Sequence, residues 1–209
     1  MLQYQLLKSR EGIVLLGDYD SLRALHDTVH EINEKSPLLK DKEGPFLGLA
    51  YDVRKAYERQ RKTIKPPEFA PEVGPKYGVD ILWPVLLWQS FVLRQSLAFV
   101  THGKAVQAIT YSLEAVVEGA LDDAFKGRSE GIKQEVSNWT QDVVEGRMLD
   151  PLGAIFTRWT SKERGTRMAG LIAAFSSVWP SRYEFLSRRG LADGQLSPIE
   201  IESFRGVEW

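Results

Sequence analysis

Four prolines and two glycines fall within fourteen residues, Lys65–Gly78: Pro66, Pro67, Pro71, Pro75, Gly74 and Gly78. Proline fixes φ and lacks the N–H that a helix interior or a sheet ladder requires. The stretch therefore reads as a connector over 65–79, with neither helix nor central strand in it. It separates a hairpin–helix part, residues 1–64, from a helical part, residues 80–209, the two packing as one compact unit.

Before the connector, Leu2, Tyr4 and Leu6 alternate with Gln3 and Gln5, the period-2 mark of a half-buried strand. Lys8–Gly12 is polar and ends in glycine, and Ile13–Leu16 is a second apolar run, so a β-hairpin is predicted. Asp18, Asp20 and Ser21 supply N-cap chemistry for a helix carrying Leu22, Leu25, Val29 and Ile32, closed by Ser36-Pro37. An apolar piece at Phe46–Leu49 leads into a second helix with Val53, Ala56 and Tyr57. After the connector everything reads as helix. Pro84 suits the first turn of a helix running to about Val100, and His102-Gly103 breaks it. Val106, Ile109, Leu113, Val116, Ala120 and Ala124 form the next apolar face. Ile132, Val136, Trp139 and Val143 mark another helix, and a stripe from Met168 to Trp179 is stopped by Pro180. The predicted class is α+β: an N-terminal β-hairpin with helices, followed by a mostly helical bundle.

Composition narrows the chemistry. Cysteine is absent, which excludes disulfides, thiolate catalysis and Cys-ligated metal centres. Lys and Arg total 27 against 28 Asp and Glu, so no global charge favours nucleic acid. The longest uncharged run, Ile81–Leu93, is 13 residues, short of the roughly 20 needed to cross a bilayer. Met1–Leu7 does not read as a signal peptide, and a cytoplasmic setting is expected. No phosphate loop or dinucleotide fingerprint occurs.

His26-Asp27-Thr28-Val29-His30 places two histidines at i and i+4, a metal-ligand spacing with an acid after the first. A metal-dependent hydrolase using His26, Asp27 and His30 is the alternative reading. Against it, Asp27 is one methylene shorter than the glutamate such motifs carry, and His26 borders an apolar stripe where a core histidine is commoner. Gly127-Arg128-Ser129-Glu130-Gly131 spells a nucleophile elbow, but a helix precedes it and no histidine follows His102; it is a helix–helix turn. Arg54, Lys55, Arg59, Arg61 and Lys62, interleaved with Tyr51 and Tyr57, form a basic patch that could track phosphates in a nucleic-acid binder or nuclease. A second basic cluster holds Arg158, Lys162, Arg164, Arg167, Arg182, Arg188 and Arg189. Solvated helix faces carry the same pattern, and nucleic acid is not the expected partner.

Arg94 is the only charge between Ile81 and Val100. Burial is expected for it, and a buried guanidinium requires an acidic partner. If the chain reverses at His102-Gly103, Arg94 leans away from the turn and Glu114 leans back towards it, so the two converge with Tyr111 beside them. The expected product is a buried ion pair or an anion site.

Gly17-Asp18-Tyr19, Leu25-His26, Lys42-Glu43-Gly44, Gly48–Arg54, Ile81–Pro84 and Gln107–Glu114 together resemble an uncharacterised bacterial family of unknown function, over about residues 1–125. The resemblance implies a bacterial cytosolic origin and no catalytic residue. The expected function is non-enzymatic: protein–protein interaction with a partner or a second copy, in a regulatory or defence-associated role, with no cofactor. Trp139, Trp159, Trp179 and Trp209, near helix ends or the terminus, are either interface or core.

Overall fold

The computed structural model describes residues 1–207; Trp209 lies outside the described residues. Strands β1 (Gln3–Leu6) and β2 (Gly12–Gly17) lead into helices α1 (Tyr19–Lys35) and α2 (Pro45–Tyr57). Strands β3 (Lys62–Ile64) and β4 (Lys76–Leu82) flank the proline-rich loop. Helices α3 (Trp83–Ser96), α4 (Lys104–Ala124), α5 (Ser129–Ser137), α6 (Leu149–Arg158), α7 (Ser161–Ala173), α8 (Trp179–Arg188) and α9 (Pro198–Glu202) follow. The class is α+β, an N-terminal antiparallel sheet of order β1-β2-β4-β3 followed by mostly helical segments. Among the described residues no helix is long and apolar enough to cross a membrane.

The predicted hairpin is present, with Gln3 opposite Leu16 and Leu6 opposite Ile13. Its turn is not made by glycine. Ser9 and Arg10 take φ of 57° and 56°, the left-handed geometry that a two-residue hairpin turn demands, and Glu11 N–H donates to Lys8 C=O at 3.2 Å. Gly12 serves close approach instead: a Cβ there would lie 2.0 Å from the Ile81 carbonyl oxygen.

Helix alone does not follow the connector. Residues 76–82 form β4, a central strand paired with β2 on one side and β3 on the other, so the last residues of the proline-rich stretch belong to the sheet. Gly78 marks a crowded crossing and not a break. A Cβ there would meet Leu16 Cδ2 at 2.5 Å and Val14 Cγ1 at 2.8 Å, the side chains that fold over it. The prolines themselves stay outside the strand, at 66, 67, 71 and 75.

Helix α1 runs as expected, with the Asp18 carboxylate accepting Ser21 N–H at 2.8 Å and Leu22, Leu25, Val29 and Ile32 fully buried. Phe46–Leu49 lies inside α2, because Pro45 occupies the first turn and Phe46, Leu49, Ala50 and Val53 bury one face. Two C-terminal expectations need correction. Trp139 and Val143 sit beyond the end of α5, in a turn and a 3₁₀ segment over Gln141–Glu145. The Met168–Trp179 stripe breaks after Ala173, and Pro180 starts α8, since proline is tolerated in a first turn.

One core joins both parts of the chain, from Leu2, Ile13 and Leu15 on the sheet to Trp179 and Ile201. Trp139, Trp159 and Trp179 belong to it, and the indole N–H groups of Trp139 and Trp179 donate to Ile172 and Leu196 carbonyls. Arg164, 5% exposed, ties the sheet to the helices. Its Nη1 donates to Ser9 C=O and to Glu11 Oε1, both at 3.1 Å, while Nε and Nη2 reach the Phe156 and Thr157 carbonyls at the end of α6.

Candidate functional site

Helices α3 and α4 reverse at His102-Gly103, where His102 Nε2 lies 3.1 Å from Leu97 C=O. The reversal sets Arg94 against the middle of α4. Arg94 Nε is 3.3 Å from Glu114 Oε1, Nη1 donates to Tyr111 Oη at 3.1 Å, and the guanidinium lies 4.7 Å from the Tyr111 ring centre. The side chains of Arg94 and Glu114 are 44% and 29% exposed, so this is a half-exposed pair at a rim and not a buried one. Arg94 sits in the last turn of α3, where the bundle opens and its long stem carries the charge out to water.

The opening is a cleft of about 270 Å³ between α3, α4 and α5. Leu87, Phe91, Val117, Leu121 and Val136 make an apolar floor, and Arg94, Glu114, Glu118 and Lys133 stand around it. Lys133 is held by both oxygens of Asp122, at 2.7 and 2.9 Å. Glu118 has no hydrogen-bond or ion-pair partner among the described residues. Burial pushes the Glu114 carboxyl above its ordinary value; Arg94 opposes the shift and the Glu118 charge adds to it.

The other candidate residues do not converge here. His26 and His30 lie with ring centres 4.5 Å apart and planes tilted by 57° on α1, and His26 Nδ1 lies 2.9 Å from Asp27 Oδ1, a contact that occupies one ring nitrogen. Among the described residues no group of three or more His, Cys, Asp or Glu side chains is placed to hold a metal ion. Burial, reinforced by the neighbouring His26, holds the His30 imidazole below its ordinary value.

The basic patch, which runs from the last turn of α2 into β3, is largely engaged. Arg61 pairs with Asp52 at 3.4 Å, Arg54 approaches Glu58 at 4.0 Å, and Lys55 and Lys62 donate to Gln60 and Gln5. Arg59 has a φ of 63° at the helix exit. The second basic cluster scatters: Arg167 turns to Glu200, Arg182 to Glu135 and Arg188 to Glu184. Arg164 enters the core, and Lys162 faces a separate concavity.

Residues 2–192 match a family model described as a domain of unknown function (DUF6904). The chain belongs to that family. DUF6904 covers the sheet, the α3–α5 cleft and α1 to α8, well past the region over which the sequence phrases resemble it. No curated protein and no solved structure matches this DUF6904 chain.

Proposed function

We propose that this chain is a non-enzymatic binding protein of the bacterial cytoplasm, and that its α3–α5 cleft receives an amphipathic segment of a protein partner. The observation that supports this reading is an open apolar floor rimmed by charges, one of which, Glu118, makes no hydrogen bond or close ion pair among the described residues and feels the charge of Lys133 only at longer range. An interface centre combines desolvated apolar surface with a polar rim that fixes register. An apolar anchor of the partner would fill the floor over Phe91 and Leu121. A basic residue beside it would meet Glu118, and an acidic one would meet the exposed edge of Arg94. The tryptophans lend no support, because those described are core. A regulatory or defence-associated role belongs to the same proposal through the partner it would engage.

The reading is tested by selecting peptides from a random display library on the immobilised chain. Counter-selection uses Ser137→Trp, at the cleft mouth on an exposed position. Selected peptides should share one apolar anchor with a neighbouring Lys or Arg, and should lose binding to Ser137→Trp. Failure to enrich any sequence, or enrichment indifferent to Ser137→Trp, would overturn it.

A further inference from the structure

A second concavity, of about 690 Å³, lies between the β1–β2 turn, the end of α4 and the start of α7. Arg10, Lys126, Arg128 and Lys162 line it, with Asp123 as the one acidic side chain of the lining. None of the four cations is in an ion pair among the described residues. The nearby carboxylates are committed elsewhere: Asp123 accepts the Tyr4 hydroxyl at 2.8 Å, Asp122 holds Lys133, and Glu163 caps α7 through Thr160. Such a concentration of unneutralised positive charge in a concave polar wall favours a multiply charged anion.

The two arginines are fixed in place by backbone carbonyls, which leaves their charge unspent. Arg10 Nη1 donates to Ser161 C=O at 3.1 Å and to Ser161 Oγ at 3.2 Å, and Nε donates to Ala124 C=O at 3.1 Å, with no acceptor for Nη2 among the described residues. Arg128 Nη1 donates to Gly165 C=O at 2.8 Å, leaving Nε and Nη2 unused among the described residues. Ser161 and Gly165 are one turn apart on α7, roughly 6 Å along its axis. Two guanidinium forks thus stand side by side along α7. Gly165 keeps the surface open: a Cβ there would lie 3.2 Å from Arg10 Nη1. The strained left-handed turn at Ser9 and Arg10 is what carries Arg10 out of the sheet to this position.

We propose that this concavity binds a small ligand bearing a diphosphate group, its two phosphates engaging the free edges of Arg10 and Arg128 while Lys126 and Lys162 add charge. Arginine forks match phosphate oxygens bidentately, and an open concavity of this volume admits a small ligand from solvent. This site is separate from the α3–α5 cleft and stands or falls independently of it.

Calorimetric titration of the full chain with inorganic pyrophosphate tests the proposal, with ADP, inorganic phosphate and a 20-nucleotide single strand as parallel arms. Pyrophosphate should bind at one site per chain, more tightly than phosphate. The ADP arm distinguishes a nucleotide-borne diphosphate, which should then bind more tightly than pyrophosphate, from a free one. Lys162→Glu, at an exposed side chain without a partner among the described residues, should weaken pyrophosphate at least tenfold with an unchanged melting temperature. Arg128→Gln should also weaken pyrophosphate at least tenfold, with a lowered melting temperature because it removes the donor to Gly165 C=O, and Lys55→Glu on α2 should leave the pyrophosphate affinity unchanged. No saturable binding, equal affinity in Lys162→Glu, or an equal loss in Lys55→Glu would overturn the proposal. So would an oligonucleotide that binds more tightly than pyrophosphate through these residues, which would mark a nucleic-acid surface instead.

Discussion

Arg164 Nη1 donates to the carbonyl oxygen of Ser9 at 3.1 Å, joining α7 to a hairpin turn 155 positions earlier in the chain. The same guanidinium satisfies Glu11 and two carbonyls of α6 while lying against the Phe156 ring. Replacement by methionine would take a donor from three carbonyls in a nearly dry site, leaving Phe156 C=O with the Trp159 N–H alone. Arg164→Met should therefore cost about 3 kcal/mol or more in urea denaturation. Glu11→Gln should cost at most about 1 kcal/mol, because the Glu11 side chain is 43% exposed and water screens the pair.

The turn itself is strained. Ser9 adopts φ 57° and ψ 22°, a conformation unfavourable for any residue with a Cβ other than Asn or Asp. Ser9→Gly should raise stability by about 0.5 kcal/mol, the relief of strain exceeding glycine's larger unfolded-state entropy. The matching change at Arg10 should not stabilise, since Arg10→Gly also removes the donors to Ala124 and Ser161. Paired denaturation curves of the two variants check this.

Helix α1 and the α3–α4 reversal were legible because their signals are local. Leu22, Leu25, Val29 and Ile32 repeat at helical spacing, Ser36-Pro37 stops them, and one glycine break suffices to bring Arg94, Tyr111 and Glu114 together. The exposure of that pair was not legible, since it depends on where α5 packs. Strand β4 was hidden for a different reason. Gly78 reads as a breaker in isolation, and only the crossing of Leu16 and Val14 over it explains why a central strand needs it. Arg164 gave no sign at all: its partners Ser9 and Glu11 come from the other end of the chain, and it sits among arginines that do remain near water. The ligand-facing role proposed for Lys162 rests likewise on neighbours, Arg10 and Arg128, that only folding supplies.

Glu114 makes a pH signature at the cleft. Its carboxyl is raised above 4.5 by burial, so the folded chain holds the proton more tightly than the unfolded one. That contribution to stability is present below pH 4.5 and is lost as pH rises through the folded value. Glu114→Gln should abolish this segment of the pH dependence, as read by melting temperatures of the two proteins between pH 4 and 7.

His30 acts in the opposite sense. Its imidazole is held below 6.5, so the unfolded chain takes up a proton first, and stability is lost as pH falls from 6.5 through the folded value. Proton NMR of the His30 ring should show a midpoint below 6.5, rising in His26→Gln, which removes the like charge beside it.

The α3–α5 cleft as the partner-binding site is tested most directly by amide chemical-shift mapping of the full chain with a library-selected peptide. Saturating peptide should shift the amides of Leu87–Gln95, Glu114–Leu121 and Lys133–Ser137 and leave the remainder of the protein unmoved. Glu118→Lys should weaken the same peptide about tenfold, the equivalent of about 1.4 kcal/mol. Shifts centred elsewhere, or an affinity that Glu118→Lys leaves intact, would contradict the assignment.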